Sequence, residues 1–497
     1  MDKPKFWGIN MTFLLAIDQG TTSTRCVIYD EELNIVKSEQ KEYPLIYPVD
    51  GWVEVDPNEL LESVYETLDP MLESSFDITC AGITNQRETT LVWDSESGIP
   101  IYNGIVWQDR RTADYCSTLK NQNLEPIINQ KTGLLLDPYF SATKISWILD
   151  NVEGAREKAL KGYLRFGTVD TFLLWHLSDG QLHKTDVTNA SRTNLFNIHS
   201  MEWDQELLDI FDVPASMLPK VCSSDAEFGI LSRKSVSIPI TGMIGDQQSA
   251  LVGQECFSYG DMKATFGTGC FLMVNSGLKP QSSKSGLLST VGYELNKSLS
   301  YALEGSIFSA GTTIQWLRDN MKFYKNSAAS AELLSSAGKS NGVLFIPAFT
   351  GIGAPHWNAE VRASFYGITR DTSQQDMVTA AFKALIYQVM DIRDALKEDD
   401  IEIKNLAIDG GMAGNKKFCQ LLADFLQLDI RVPASTESTA TGAAITAGIG
   451  FGLFSTEKNL EKKSNQLTIY SPRDGILDYD DRKKWKQFLD VLMQAYS

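Results

Sequence analysis

"AIDQGTTSTRCVIYD", Ala16 to Asp30, is the stretch on which the reading of this chain turns. Two apolar runs flank a turn of glycine, threonine and serine, with Asp18 just before it and Arg25 just after it. Short apolar runs bounded by turn residues read as strands joined by a tight turn. Backbone amides and hydroxyls at such a turn can face a single concavity, an arrangement suited to phosphate oxygens. Asp18, at the end of the first strand, is placed to hold Mg²⁺ directly or through water. Taken alone, the stretch is served equally well by a plain polar hairpin, since glycine and threonine are common in turns.

A second turn shifts that balance. The run 261–277, "DMKATFGTGCFLMVNSG", sets Gly267-Thr268-Gly269 between two strand-like segments. A nucleotide held by two domains needs a phosphate turn from each. From Phe13 to Val36 the pattern predicts strand, turn, strand, turn, strand. Between the two glycine turns and beyond them lie helical periods. Met377, Ala380, Ala381, Ala384, Leu385 and Ile392 follow the i, i+3, i+4 spacing of a helix over 377–395, and a second helix is expected over Lys416–Leu426. The mixture predicts an α/β protein of two domains facing one another across a cleft, residues 1–253 and 254–497.

Bulk properties narrow the function. At 497 residues the chain exceeds what one core organises. Its net charge of −18 argues against nucleic acid as the main partner, because phosphate binding at scale needs a basic face. Seven cysteines, at 26, 80, 116, 222, 256, 270 and 419, have no paired spacing and read as reduced thiols of a cytoplasmic protein. The longest low-charge run, Ala440 to Phe454, is shorter than the ~20 residues a membrane-spanning helix requires. The histidines at 176, 183, 199 and 356 fall in no metal-ligand spacing. Gly338-Lys339-Ser340 lacks the earlier glycine of a Walker A loop, because position 333 is leucine.

Candidate site residues come from three further segments. In "GITNQRETTLVWD", Gly82 to Asp94, Arg87 stands beside Glu88 directly after an apolar strand. Adjacent opposite charges are commonly a solvated surface pair, but strand ends are where α/β proteins gather ligand groups. Trp107 in "GIVWQDRRT" and Tyr139 in "DPYFSATK" could shield a small polar ligand, or belong to the core. In "TGMIGDQQSALVGQ", Thr241 to Gln254, Asp246 and Gln247 follow a glycine at the end of an apolar run. Spacing alone allows Asp246 to act as a general base toward a hydroxyl, as a helix N-cap, or as both.

The segments "DQGTTSTR", "GITNQRETT", "NGIVWQDRRT", "DPYFSATKISWIL", "GDQQSALVGQ", "GTGCF" and "EGSIFSAGTTIQWL" together resemble, in order, motifs of the FGGY carbohydrate kinases. The resemblance runs from about residue 13 to about 454. It implies two actin-like, RNase H-like ATPase domains with mixed sheets, and ATP and Mg²⁺ as cofactors. Within the family, "NQRETT" combined with "GDQQ" points to glycerol as the acceptor, phosphorylated to sn-glycerol 3-phosphate. The resemblance further implies that Thr21, Thr22, Ser23, Arg25 and Thr268 line the nucleotide phosphates, with Asp18 near Mg²⁺. Gly311, Gln315, Gly411 and Asn415 would hold the adenosine end. Arg87, Glu88, Tyr139, Asp246 and Gln247 would bind the hydroxyls of glycerol, Trp107 and Phe271 its carbon edge, and Asp246 would be the base. A homodimer or homotetramer is implied as well.

Two departures concern control rather than chemistry. Gly229 to Ile240, "GILSRKSVSIPI", lacks the glycine run with which some bacterial members bind fructose 1,6-bisphosphate, and no histidine lies between His199 and His356 for a phosphohistidine switch. "MAGNKK" is an unusual adenosine loop, although Asn415 is kept. The alternatives are a kinase of the same family acting on another polyol or sugar, and a catalytically silent actin-like nucleotide-binding regulator.

Overall fold

In a computed structural model of the chain, the opening stretch forms an antiparallel hairpin of β1 (Phe13–Gln19) and β2 (Ser23–Tyr29). Asp18 lies opposite Arg25, Gln19 lies opposite Thr24, and the Gly20 N–H closes the turn on the Ser23 carbonyl at 2.9 Å. The structure describes residues 12–335, 338–435, 437–455, 467–473 and 479–496. It divides into two compact units: Met1–Gly253 with Tyr293–Leu299 and Thr439–Glu461, and Gln254–Gly292 with Ser300–Ser438 and Lys462–Ser497.

The first unit is built on β1, β2, β3 (Ile35–Glu42), β4 (Ile78–Asn85), β5 (Gly229–Arg233) and β6 (Val236–Gly245), ordered β5-β6-β4-β1-β2-β3. The β6, β4 and β1 strands run parallel, with Gln19 beside Asn85 and Asn85 beside Gly245. The residues that follow each strand therefore emerge from one edge of the sheet. Leu15, Ile17, Ile28, Ala81 and Ile83 form its core, with Leu60, Val64, Leu68 and Met71 of the helix Pro57–Leu72. Those four side chains repeat every three to four residues, and Asp56 caps the helix by accepting from Asn58 N–H at 2.8 Å, with Pro57 in the first turn.

The units are not consecutive halves of the chain. The helix Ser438–Phe451, "STATGAAITAGIGF", lies against the sheet of the first unit from Thr439 onward. A Cβ at Gly82 would sit 2.2 Å from the Ala443 carbonyl oxygen, and one at Gly242 would sit 2.5 Å from the Ala447 nitrogen. Helix backbone thus rests on bare sheet backbone, which only glycine permits here, and Thr241 Oγ1 donates to the Ala447 carbonyl at 2.8 Å. The run that hydropathy marks as too short to cross a membrane is this buried helix, and among the described residues no helix is long and apolar enough to span one.

The second unit repeats the plan with β7 (Asp261–Phe266), β8 (Cys270–Gly277), β9 (Leu288–Leu295), β10 (Ser298–Ile307), β11 (Asn405–Asp409), β12 (Ile430–Pro433) and β13 (Leu467–Tyr470), the tip of the β9–β10 hairpin, Tyr293–Leu299, being the part that belongs to the first unit. The order is β9-β10-β8-β7-β11-β12-β13. The β7–β8 hairpin is antiparallel, while β11 and β12 run parallel to β7 on its other side, so the pairing senses around Gly267-Thr268-Gly269 match those around Gly20. The helices expected over 377–395 and 416–426 form as Gln374–Glu398 and Lys416–Leu426. The first carries a capping box of Ser373 and Asp376.

Candidate active site

At the edge where β4 and β6 end, Arg87 joins segments far apart in sequence. Its Nε lies 3.3 Å from Asp246 Oδ1 and 3.7 Å from Glu88 Oε1. Its NH1 donates to Gln248 Oε1 at 3.2 Å and its NH2 to the Tyr139 hydroxyl at 3.4 Å. The pair that composition would place in solvent is buried, with both side chains only 2% accessible. Asp246 remains 26% exposed and so can reach a ligand. It opens the helix Asp246–Gly253, and its Oδ1 accepts the Gln247 N–H at 2.7 Å. Gln247 is half-buried beside it, whereas Gln248, which the sequence reading passed over, is the one that engages Arg87.

Glu88 adopts a left-handed backbone, φ 61°, unusual outside glycine and asparagine. Three groups support it: Arg192 Nε on its Oε1 at 2.6 Å, and Ser141 Oγ and Lys144 Nζ on its carbonyl at 3.1 and 3.4 Å. Lys144 Nζ also donates to the Tyr139 carbonyl at 2.7 Å. Burial lowers the Lys144 ammonium to about 8, with Glu88, Asp109 and Asp137 pulling the other way. Neither Arg192 nor Lys144 was singled out from the sequence. Arg192 sits in the polar run "NASRTN", and its burial is a product of tertiary packing alone.

Trp107 closes another side. Its Nε1 donates to Thr21 Oγ1 at 2.9 Å, and its ring meets Tyr139 edge-on with centroids 5.7 Å apart. The loop after it is anchored by Arg111, whose NH2 reaches Glu54 and Asp109 at 2.8 Å each, with its guanidinium 3.9 Å over the Trp52 ring. The hydroxyl-rich turn is braced from behind. Gln86 Nε2 donates to the Gly20 carbonyl at 3.1 Å, Tyr43 OH donates to the same carbonyl, and Thr22 O accepts the Tyr43 N–H at 3.1 Å. Arg25 NH2 donates to Gln40 Oε1 at 2.6 Å, and Ser23 Oγ accepts from Gln40 Nε2 at 3.2 Å.

Asp18 is half-buried on the same edge. Burial pushes its carboxyl up to about 7, the neighbouring Asp246 adds to the rise, and Arg25 opposes it. The two carboxylates repel one another and are oxygen ligands of the kind a divalent cation takes, although among the described residues no group of three or more acidic, cysteine or histidine side chains is gathered for a metal.

In the second unit, Thr268 is exposed at the tip of its turn, and the helix Gly311–Asp319 begins on that turn. Gly311 N–H donates to the Gly267 carbonyl at 2.9 Å, and Thr312 N–H donates to the Thr268 carbonyl at 3.1 Å. Gln315 is exposed on this helix. A Cβ at Gly411 would meet nothing within 4 Å, and Asn415 caps the next helix by accepting from Lys417 and Phe418 N–H at 3.1 and 3.2 Å. Phe271 lies half-buried on β8, its carbonyl accepting from the buried Lys263 Nζ at 3.3 Å. Lys263 also donates to Thr265 Oγ1 at 3.2 Å, and Thr265 pairs with Asp409 across β7 and β11. Burial raises the Asp409 carboxyl, with Lys263 opposing.

A pair of like-ordered mixed sheets, each with a glycine hairpin at its central strand and one with a carboxylate-rich strand edge, defines a two-unit α/β protein of the phosphate-handling type. Residues 13–253 match the FGGY family of carbohydrate kinases, N-terminal domain, and residues 262–451 match its C-terminal domain. The chain belongs to that family. It is 50% identical over 467 residues to the glycerol kinase of Alteromonas mediterranea, covering 93% of this chain and 94% of the relative. It is also 50% identical over 448 residues to glycerol kinase 1 of Pseudomonas aeruginosa, covering 89% and 91%. The crystal structure of Plasmodium falciparum glycerol kinase with ADP superposes with a TM-score of 0.90 at 36% identity, covering 98% of each chain. Gluconate kinase from Lactobacillus acidophilus shares the fold, with a TM-score of 0.84 at 21% identity.

Proposed function

We propose that this protein transfers the γ-phosphoryl group of ATP to glycerol, giving sn-glycerol 3-phosphate and ADP. The observation that carries the reading is the convergence of Arg87, Tyr139 and Asp246, three distant segments, around an accessible carboxylate at a parallel strand edge. The relatives' shared name supports the choice of glycerol.

Asp246 is the general base. It accepts the proton of the attacking hydroxyl as the oxygen–phosphorus bond forms and ADP leaves with the electron pair of the broken bond. Arg87 pairs with that carboxylate and orients it. Arg87, Glu88, Tyr139 and Gln247 bind the acceptor's hydroxyls, with Trp107 and Phe271 along its carbons. A polyol missing one hydroxyl leaves a buried charged group unpaired, so selectivity comes from these bonds. Thr21, Thr22, Ser23 and Arg25 in the first unit, and Thr268 in the second, are assigned to the phosphates. Gly311, Gln315, Gly411 and Asn415 are assigned to adenosine, and the open space at Gly411 suits a ligand lying against backbone. Asp18 would hold Mg²⁺, which when bound supplies neutralisation of phosphate charge. We place the enzyme in the cytoplasm and read it as a homodimer or homotetramer.

The test is ADP release with Mg-ATP, with and without glycerol, beside Asp246→Ala. Glycerol-dependent ADP that vanishes in the variant supports both the activity and the base. ATP binding without a glycerol response would redirect the assignment to another polyol.

A further inference from the structure

We propose that Arg192 is a positioning residue for acceptor selection: its guanidinium fixes Glu88 as a carboxylate that can only accept a hydrogen bond, so the acceptor must present a hydroxyl there. The proposal rests on the reading of Glu88 as an acceptor-binding residue.

The geometry is specific. Arg192 is fully buried, and its Nε makes the short contact to Glu88 Oε1, 2.6 Å. Of the other cations beside Glu88, Arg87 stands at 3.7 Å from the carboxylate and is nearer to Asp246, and Lys144 reaches the Glu88 backbone carbonyl. Arg192 is held in place by rings, 5.3 Å from the Phe140 centroid and 5.6 Å from that of Tyr139. Its segment is tied to the strand that delivers Glu88. Asp186 caps the short helix Val187–Ala190 through Thr188 and Asn189 N–H, and Asn189 exchanges side-chain hydrogen bonds of 3.0 and 3.1 Å with Asn85 at the end of β4. Glu88 therefore has its left-handed backbone and its carboxylate fixed from separate elements, the pre-organisation expected where strain is kept for function. An ionised carboxylate has no proton to donate, so only a donor hydroxyl satisfies it.

The charged and titratable groups around Glu88 are Arg87 and Asp246 from the strand ends, Lys144 and Tyr139 from the segment 139–151, Arg192, and Asp109 and Asp137 acting through Lys144. Lys144 loses charge near 8, so the informative range lies below that. Arg192→Met, Arg192→Lys and the double variant Glu88→Gln/Arg192→Met are compared with wild type for KM(glycerol), KM(ATP) and kcat from pH 5.5 to 7.5. In Arg192→Met, Glu88 takes up a proton at low pH. Its KM(glycerol) relative to wild type is expected to be about tenfold higher at pH 5.5 than at 7.5, with KM(ATP) unchanged. Arg192→Lys flattens that dependence, and the double variant, whose amide does not titrate, abolishes it. If Arg192→Met does not fold, Arg192→Gln, which is also uncharged, takes its place with the same rise in KM(glycerol) at low pH expected.

A flat ratio in Arg192→Met, or equal losses in both KM values that the double variant does not reverse, overturns the role and leaves Arg192 as packing. Wild type without glycerol-dependent turnover overturns the site assignment itself, and this role with it.

Discussion

Arg87 and Asp246 follow the C-terminal ends of neighbouring parallel strands, and Arg87 Nε lies 3.3 Å from Asp246 Oδ1 across those ends. A carboxylate so held is oriented by the guanidinium yet open on its other side. Asp246→Ala is expected to lower glycerol-dependent ADP release by roughly 10²–10⁴-fold. The thermal midpoint, read by circular dichroism, should move little because the side chain is partly exposed. Retained turnover in a folded variant would remove Asp246 from the base role.

Gly245 controls the same pair from behind. A Cβ there would lie 2.9 Å from both Cγ and Cδ of Arg87 and 3.2 Å from Gln248 Oε1. Gly245→Ala should displace the Arg87 side chain, costing about 1–3 kcal/mol in urea unfolding. KM for glycerol should rise more than KM for ATP, and equal kinetics in both substrates would show that Arg87 moves without consequence.

Asp18 predicts a pH dependence with a definite sign. Its folded carboxyl is raised to about 7 by burial and by Asp246, so the native state binds more protons than the unfolded chain between about pH 4 and 7. Its contribution to stability is present at low pH and is lost as pH rises through about 7. Comparing thermal midpoints of wild type and Asp18→Asn without Mg²⁺ isolates this slope from that of Asp170, which is also raised to about 7. Activity that needs the ionised form should run the other way, rising through the same range. Parallel curves for the two proteins would exclude Asp18 as the titrating group.

Arg111 balances two buried carboxylates, Glu54 and Asp109. Arg111→Met strands both, and the expected loss is about 3–5 kcal/mol by chemical denaturation. A loss under 1 kcal/mol would mean that the carboxylates find other partners or protons.

All seven cysteines are free, and only Cys222 is partly exposed. Burial raises its thiol too, so an aromatic disulfide reagent should modify at most one thiol, slowly, in the native protein and seven after denaturation. Rapid reaction of several thiols in the native state would contradict the burial of Cys26, Cys80 and Cys116.

What was legible in the sequence was local. The hairpin at Gly20, its partner at Gly267 and the helix Lys416–Leu426 follow from turn chemistry and apolar period, because a few adjacent residues suffice to specify them. Arg87 and Glu88 could be named as candidates, but their burial could not be read, since the groups that neutralise Glu88 lie far along the chain at Lys144 and Arg192. Gln248 was hidden by its more conspicuous neighbours Asp246 and Gln247. The return of Ser438–Phe451 to the first unit was equally out of reach. Its signal is a match between glycines at 82 and 242 and a run of alanine and glycine around Ala443 and Ala447, far along the chain from both, which no local window contains.

The two sheets share a central order, β3-β2-β1-β4-β6 in the first and β10-β8-β7-β11-β12 in the second, but the connections between matching strands differ in length. In the second unit the chain passes from β11 to β12 through residues 410–429, whereas in the first it passes from β4 to β6 through 86–235. Arg87, Glu88, Trp107, Tyr139, Lys144 and Arg192 all lie in that longer excursion. Under the proposed function, most of the groups that meet the acceptor arrive by that one excursion, and Asp246 and Gln247 follow directly on the strand into which it leads.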